Sequence, residues 1–194
     1  NQALVVGPPA DFESLSSQLR PDAGWRPQGG YFLLAYETRN LYFHAPFLAA
    51  FGGAFLGADD QFGFVGPGAA ASVRFVMKLM RDRVVPEGAD GALVTRLFKA
   101  GRAPYAISGP WLAGDLDQSN VRYGVAPLPL LRETKRRMRP FLTVEAVMLS
   151  PHGAKRADVR ALARHIASAA SAQLRMTVAR VVSARSDVTI TAGD

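Results

Sequence analysis

Runs of β-forming residues alternate with stretches of helical periodicity along this chain, and glycine or proline punctuates most of the junctions. That alternation is the strongest constraint on what it can fold into. Residues 31–36 are a compact β-forming run after Gly29 and Gly30, and Asn40 then stands where an N-cap would, ahead of Phe43, Phe47, Leu48 and Phe51. Gly52 and Gly53 supply the stop. Residues 69–85 put Val73, Val76, Met77, Leu79 and Met80 on one helical face and Arg74, Lys78, Arg81 and Arg83 on the other. A further helix is predicted over 90–100, ended by Gly101 in a left-handed conformation. Asp11 or Ser14 caps a short first helix, strands are predicted over 103–108, 121–125 and 141–150, and helices over 156–169 and from 171 to about 182. Strands separated by helices make the fold class α/β.

Composition narrows the chemistry. The 194 residues are 48% hydrophobic, enough for one substantial core. Zero cysteines exclude a disulfide scaffold, a thiolate metal site and a cysteine nucleophile. The longest nearly apolar stretch, 43–56, contains His44 and falls short of the ~20 residues of a membrane span. Asn1 follows no initiator methionine and opens no signal-peptide pattern, so the chain is expected to be a piece of something longer. A formal charge of +7 favours anionic neighbours: lipid headgroups, nucleic acid or an acidic protein face.

No catalytic set is legible. His44, His152 and His165 are scattered, without a second ligand at helical spacing, and no serine stands in a G-x-S-x-G elbow. The carboxylate pairs Asp59–Asp60 and Asp115–Asp117 lie in glycine-containing, loop-like sequence, where solvated charge is the ordinary condition. The Gly66-Pro67-Gly68 run lacks the spacing of a phosphate-binding loop and reads as a turn. Neither cofactor nor metal is expected. Arg132, Lys135, Arg136, Arg137 and Arg139 form the densest basic run, set in a loop between two predicted strands. It reads either as a solvated loop or as a contact with phosphates or an anionic membrane surface.

The aromatic residues point further. Tyr42 and Phe43 open a predicted helix, and Trp111 follows Gly109-Pro110 just past a predicted strand end, where ligands gather in open α/β sheets. Residues 98–111 resemble the F-x-x-G-x-x-A-[MY]-x-[IL]-x-G-P-W signature of sugar-specific solute-binding proteins of the maltose-binding type. Residues 121–129 resemble the next strand of that family, 42–53 its aromatic-led helix, and 1–15 its entry segment, all in the same order. The similarity covers most of the chain to about Leu149. It implies one lobe of the type II periplasmic-binding-protein fold, with a central mixed sheet flanked by helices and residues 1–194 as a single lobe.

The same resemblance implies that Tyr42, Phe43 and Trp111 occupy positions where the family lays rings against sugar units, and that Asn40 stands near the place of a sugar-bonding glutamate. It implies binding rather than catalysis, at the periplasmic or extracellular face of the membrane. An oligosaccharide is the expected ligand, and the membrane subunits of an ABC transporter or a missing second lobe are the expected partners. This sequence departs from the family at Asn40, at Gly91 in place of a ligand tyrosine, and at Ala113 in place of a second tryptophan. Two other readings stand beside it: an extracytoplasmic docking domain of a transporter permease with weak or no sugar binding, and a basic module for nucleic acid or an acidic partner.

Overall fold

A computed structural model describes residues 1–26, 28–57 and 61–188. The chain divides into two compact units. The first takes residues 1–108 and 119–141, and the second takes 109–118 and the chain from 142 onward.

In the first unit, residues 31–36 form a shorter strand than their composition predicts. β1 (Leu34–Ala35) lies parallel to β2 (Tyr105–Ala106), with Leu34 opposite Tyr105. The ladder is extended by Phe32 N–H donating to Arg102 O at 2.9 Å and Ile107 N–H to Ala35 O at 3.0 Å, while Leu34 N–H donates to Val84 O at 3.0 Å on the other side. Three helices flank it: α1 (Leu41–Ala50), α2 (Pro67–Arg81) and α3 (Gly91–Lys99). Their ends follow local chemistry. Asn40 caps α1 and Asp90 caps α3, each through a side-chain oxygen, Pro67 occupies the first turn of α2 where its missing N–H costs nothing, and Gly101 turns the chain at φ +67°. The predicted first helix is two 3-10 turns, Phe12–Ser14 and Ser16–Gln18. Serine hydroxyls explain the difference. Ser14 Oγ and Ser17 Oγ donate to Asp11 O and Ser14 O, both at 2.8 Å, offering the backbone an alternative to the α-helical ladder.

The core of this unit is aromatic. Phe12 meets Phe47 edge to face with centroids 5.8 Å apart, Tyr36 lies 5.2 Å from Phe47, and Phe75 closes on Phe12 at 5.6 Å. Leu131 and Met138 are buried in the same cluster. They anchor a hairpin of β3 (Leu130–Leu131) and β4 (Arg136–Arg137), so the basic run is an antiparallel hairpin rather than a loop between separate strands. Lys135 makes its turn possible at φ +57°. Among the described residues the α/β class is therefore carried by two two-stranded sheets, one parallel and one antiparallel, rather than one broad central sheet. Residues 121–125 stay irregular, tied by Gln2 N–H to Arg122 O at 2.9 Å, with Val125 88% exposed.

The second unit is helical. α4 (Trp111–Asp117) packs on α6 (Ala169–Ala179), and α5 (Ala157–Ile166) precedes α6. Leu112 and Leu116 are buried, as are Ala172 and Met176. Gly114 faces the C-terminal end of α6, where a Cβ would sit in ordinary contact at 3.6 Å from Val178 O. Arg180 Nε closes the pair on Asp117 Oδ2 at 2.8 Å, and Arg180 itself ends α6 in a left-handed turn. The strand predicted over 141–150 is not formed. Residues 142–150 are irregular and exposed, Leu142 to 94% and Met148 to 87%, with no ladder partner among the described residues. β-Forming composition needs such a partner before it becomes a strand.

Candidate functional site

At the start of α1, Asn40 accepts a hydrogen bond from Tyr42 N–H through Oδ1 at 3.0 Å and donates from Nδ2 to Glu37 Oε2 at 3.1 Å. The amide thus caps the helix first and reaches outward second. No local sequence pattern singles out Glu37. Its carboxylate stands against Gly91, where a Cβ would lie 3.0 Å from Oε1. Gly91, which has no side chain of its own, leaves room there for the acidic side chain.

Tyr42 and Phe43 part ways although they are neighbours. Phe43 is 5% exposed and belongs to the core, so its ring supports the helix rather than facing outward. Tyr42 is half-buried, edge-on to Phe43 at 5.2 Å and tilted against Phe141 at 5.8 Å. The sequence pattern puts Phe141 at the start of a strand. Nothing local in the sequence reveals that a residue about a hundred positions away would buttress Tyr42.

Trp111 lies in the second unit and is 49% exposed. Its indole folds back over Gly109, so that a Cβ on Gly109 would run into Cζ3, Cη2 and Cε3 of the ring. The Gly-Pro-Trp sequence is therefore a placement device: glycine gives the ring its seat, and Pro110 fixes the approach to α4 at φ −58°.

The five basic residues divide. Arg132 Nη2 pairs with Asp11 Oδ1 at 2.8 Å, and its backbone N–H donates to both oxygens of Glu13 at 3.1 Å, so it braces the hairpin. That hydrogen bond from Arg132 holds the Asp11 carboxyl below its ordinary pKa. Lys135, Arg136, Arg137 and Arg139 instead line a concavity of about 510 Å³ with Ala49, Gly52 and Gly53. A second cavity of about 460 Å³ is apolar, floored by Phe32, Leu93 and Leu97 with Arg96 and Arg102 beside them.

The other polar candidates have structural roles or fall elsewhere. His44 Nε2 lies 2.9 Å from Ser72 Oγ between α1 and α2, and burial lowers its pKa. Asp117 is the partner of Arg180, and Asp59–Asp60 lie outside the described residues. No group of metal-ligating side chains and no helix long and apolar enough to cross a membrane occurs among the described residues.

The chain is similar to known proteins in sequence and in fold. The maltotriose-binding protein of Pyrococcus abyssi (strain GE5 / Orsay) is 28% identical over 130 residues, 66% of this chain and 28% of its own length. The galactooligosaccharide-binding protein of Bacillus subtilis (strain 168) is 27% identical over 130 residues, 61% of this chain and 30% of its own length. Among solved structures, the maltose/maltodextrin-binding domain MalE from Bdellovibrio bacteriovorus, bound to maltotriose, superposes with a TM-score of 0.80 at 24% identity, covering 97% of this chain and 51% of that one. A cyclo/maltodextrin-binding protein complexed with maltotetraose gives a TM-score of 0.61 at 26% identity, over 73% of this chain and 37% of its own. The chain thus spans less than a third of the two curated relatives and about half of the MalE domain. These relatives are binding proteins rather than enzymes. The family model for bacterial extracellular solute-binding proteins matches residues 29–173, three quarters of the sequence, and the chain belongs to that family.

Proposed function

We propose that this chain contributes to binding a maltodextrin-like oligosaccharide, without catalysis, in an extracytoplasmic solute-binding protein that serves an ABC transporter. The observation that carries the reading is Trp111: a half-exposed indole held in place by Gly109, in a chain whose relatives are named for maltotriose and related oligosaccharides. A flat ring held in this way can stack on the apolar face of a pyranose without first losing conformational freedom. Tyr42, steadied by Phe43 and Phe141, is the second proposed ring, and Asn40 with Glu37 supplies donors and acceptors for sugar hydroxyls. Residues 1–194 are taken as one lobe, with a second lobe and the transporter's membrane subunits as partners. Half the length of the MalE domain is consistent with that division.

Calorimetric titration with maltotriose tests the proposal, on wild type, Trp111→Ala and Tyr42→Ala. Saturable binding that weakens about tenfold in each variant, as loss of roughly 1.4 kcal/mol of stacking would produce, is the expected result. Absence of saturable binding, or full affinity in Trp111→Ala, would overturn it.

A further inference from the structure

Five of the chain's 23 basic residues fall within positions 132–139. Arg132 has a carboxylate partner. Among the described residues no ion pair is formed by Lys135, Arg136, Arg137 or Arg139, although all four line one concavity. Like charges gathered without counterions repel, at ~1 kcal/mol for a pair 4 Å apart even in bulk water, and a purely solvated run would disperse its side chains. Here the backbone prevents dispersal.

Three contacts hold the arrangement. Leu131 and Met138 are 0% and 2% exposed, which pins both strands of the hairpin, and Met138 N–H donates to Pro129 O at 3.1 Å. The Arg136 guanidinium lies over Gly52 so closely that a Cβ there would overlap Nη1, and Gly52 also has φ +80°, so position 52 suits glycine on both counts. Arg137 Nη1 donates to Leu128 O at 3.3 Å. The Arg137 guanidinium is positioned by a carbonyl and that of Arg136 by glycine backbone rather than by carboxylates, so their remaining N–H donors stay available to a ligand. The volume of about 510 Å³ lies in the range of small-molecule sites, ~300–1,000 Å³.

We propose that the concavity between the β3–β4 hairpin and Gly52–Gly53 binds a phosphate group, carried either by a soluble phosphate ester or by the headgroup of an anionic phospholipid. Guanidinium forks match phosphate oxygens in pairs, and an arriving dianion relieves the repulsion among the four cations. The site lies wholly within the first unit and makes no use of Tyr42 or Trp111, so it stands or falls separately from sugar binding.

The test pairs two probes with two charge-matched variants. Wild type, Arg136→Gln/Arg137→Gln and Arg74→Gln/Arg81→Gln are titrated with sn-glycerol 1-phosphate by calorimetry. The same proteins are co-sedimented with vesicles of phosphatidylglycerol in phosphatidylcholine, and with phosphatidylcholine alone. Circular dichroism spectra and thermal melts establish that each variant is folded, and Arg136→Lys/Arg137→Lys retains charge without the fork. Wild type is expected to bind at least one phosphate probe, with affinity lowered about tenfold or more in the hairpin Gln variant, partly restored by lysine, and changed less than about twofold in the α2 variant. Binding of the soluble ester identifies a free phosphate compound as ligand, and recruitment to phosphatidylglycerol vesicles alone identifies the headgroup. Failure to bind either probe, or equal losses in the two Gln variants, would overturn the proposal.

Discussion

His44 and Ser72 join α1 to α2 through a single hydrogen bond of 2.9 Å whose polarity is fixed by a third group. Ser72 Oγ donates to Ala69 O at 2.7 Å, so its own proton is committed and it receives the proton on His44 Nε2. Ser72 is 0% exposed, and burial of His44 disfavours its charged form.

A pH dependence follows. Burial lowers the His44 pKa below 6.5 in the folded chain, so between 6.5 and the lowered value the unfolded chain binds more protons. The His44 contribution to stability is intact above 6.5 and is lost as pH falls through the folded value. Thermal melts from pH 7.5 to pH 5 should show a decline that His44→Gln, which keeps a donor, flattens. Ser72→Ala removes the acceptor and should cost about 1–3 kcal/mol in a denaturant melt at neutral pH.

Tyr36 should tolerate loss of its hydroxyl. The residue is 0% exposed, its Oη has no hydrogen-bond partner among the described residues, and burial raises its pKa. Tyr36→Phe keeps the ring against Phe47 and removes an unsatisfied group, so stability should stay level or rise by ~1–2 kcal/mol. Phe47→Ala, in the same contact, should lose about 3–5 kcal/mol. A denaturant series that ranks both variants as equally damaging would contradict this account of the core.

Asp11 joins two devices, the capping box with Ser14 and the ion pair with Arg132. Asp11→Asn keeps the cap and loses the charge, whereas Asp11→Ala loses both, so melting temperatures should fall in the order wild type, Asn, Ala. The hydrogen bond from Arg132 lowers the Asp11 pKa from 3.8, so the electrostatic contribution is present above 3.8 and fades as pH drops through the lowered value. The gap between wild type and Asp11→Asn should close in that acid range.

Gly109→Ala reads the seating of Trp111 directly. Any Cβ at 109 displaces the indole, so in a Trp25→Phe background the emission of Trp111 should shift to the red as the ring moves into solvent. Maltotriose affinity should fall with it, by about as much as in Trp111→Ala. Unchanged emission would show that the ring does not rest on Gly109.

Helices were legible in the sequence because their signals are local. The caps at Asn40 and Asp90, the stop at Gly101 and the two-faced pattern of α2 each depend on residues within a turn or two of one another. Strands were not, because a strand is completed by a partner elsewhere. Residues 142–150 have β-forming composition and no ladder, while the basic run became a hairpin through the burial of Leu131 and Met138. The site divides in the same way. Trp111 and Asn40 could be placed from their neighbours, but α1 is apolar nearly all round, so periodicity gives no means of telling buried Phe43 from half-buried Tyr42. Phe141 and Glu37 enter through tertiary contacts that no local pattern announces.

The pairing of α4 with α6 also sets a schedule. Asp117 and Arg180 are 63 positions apart, and the stretch between them includes the residues from 119 to 141 that complete the other unit. Leu112 and Leu116 have to wait for a distant helix, and the β1–β2 ladder closes a similarly long excursion from Leu34 to Tyr105. Closing such loops costs entropy before any contact repays it, and chains rich in distant contacts fold slowly. Each unit thus has a closure that must wait for a distant segment: the first for Tyr105 to reach Leu34, and the second for α6 to return to the helix that carries Trp111.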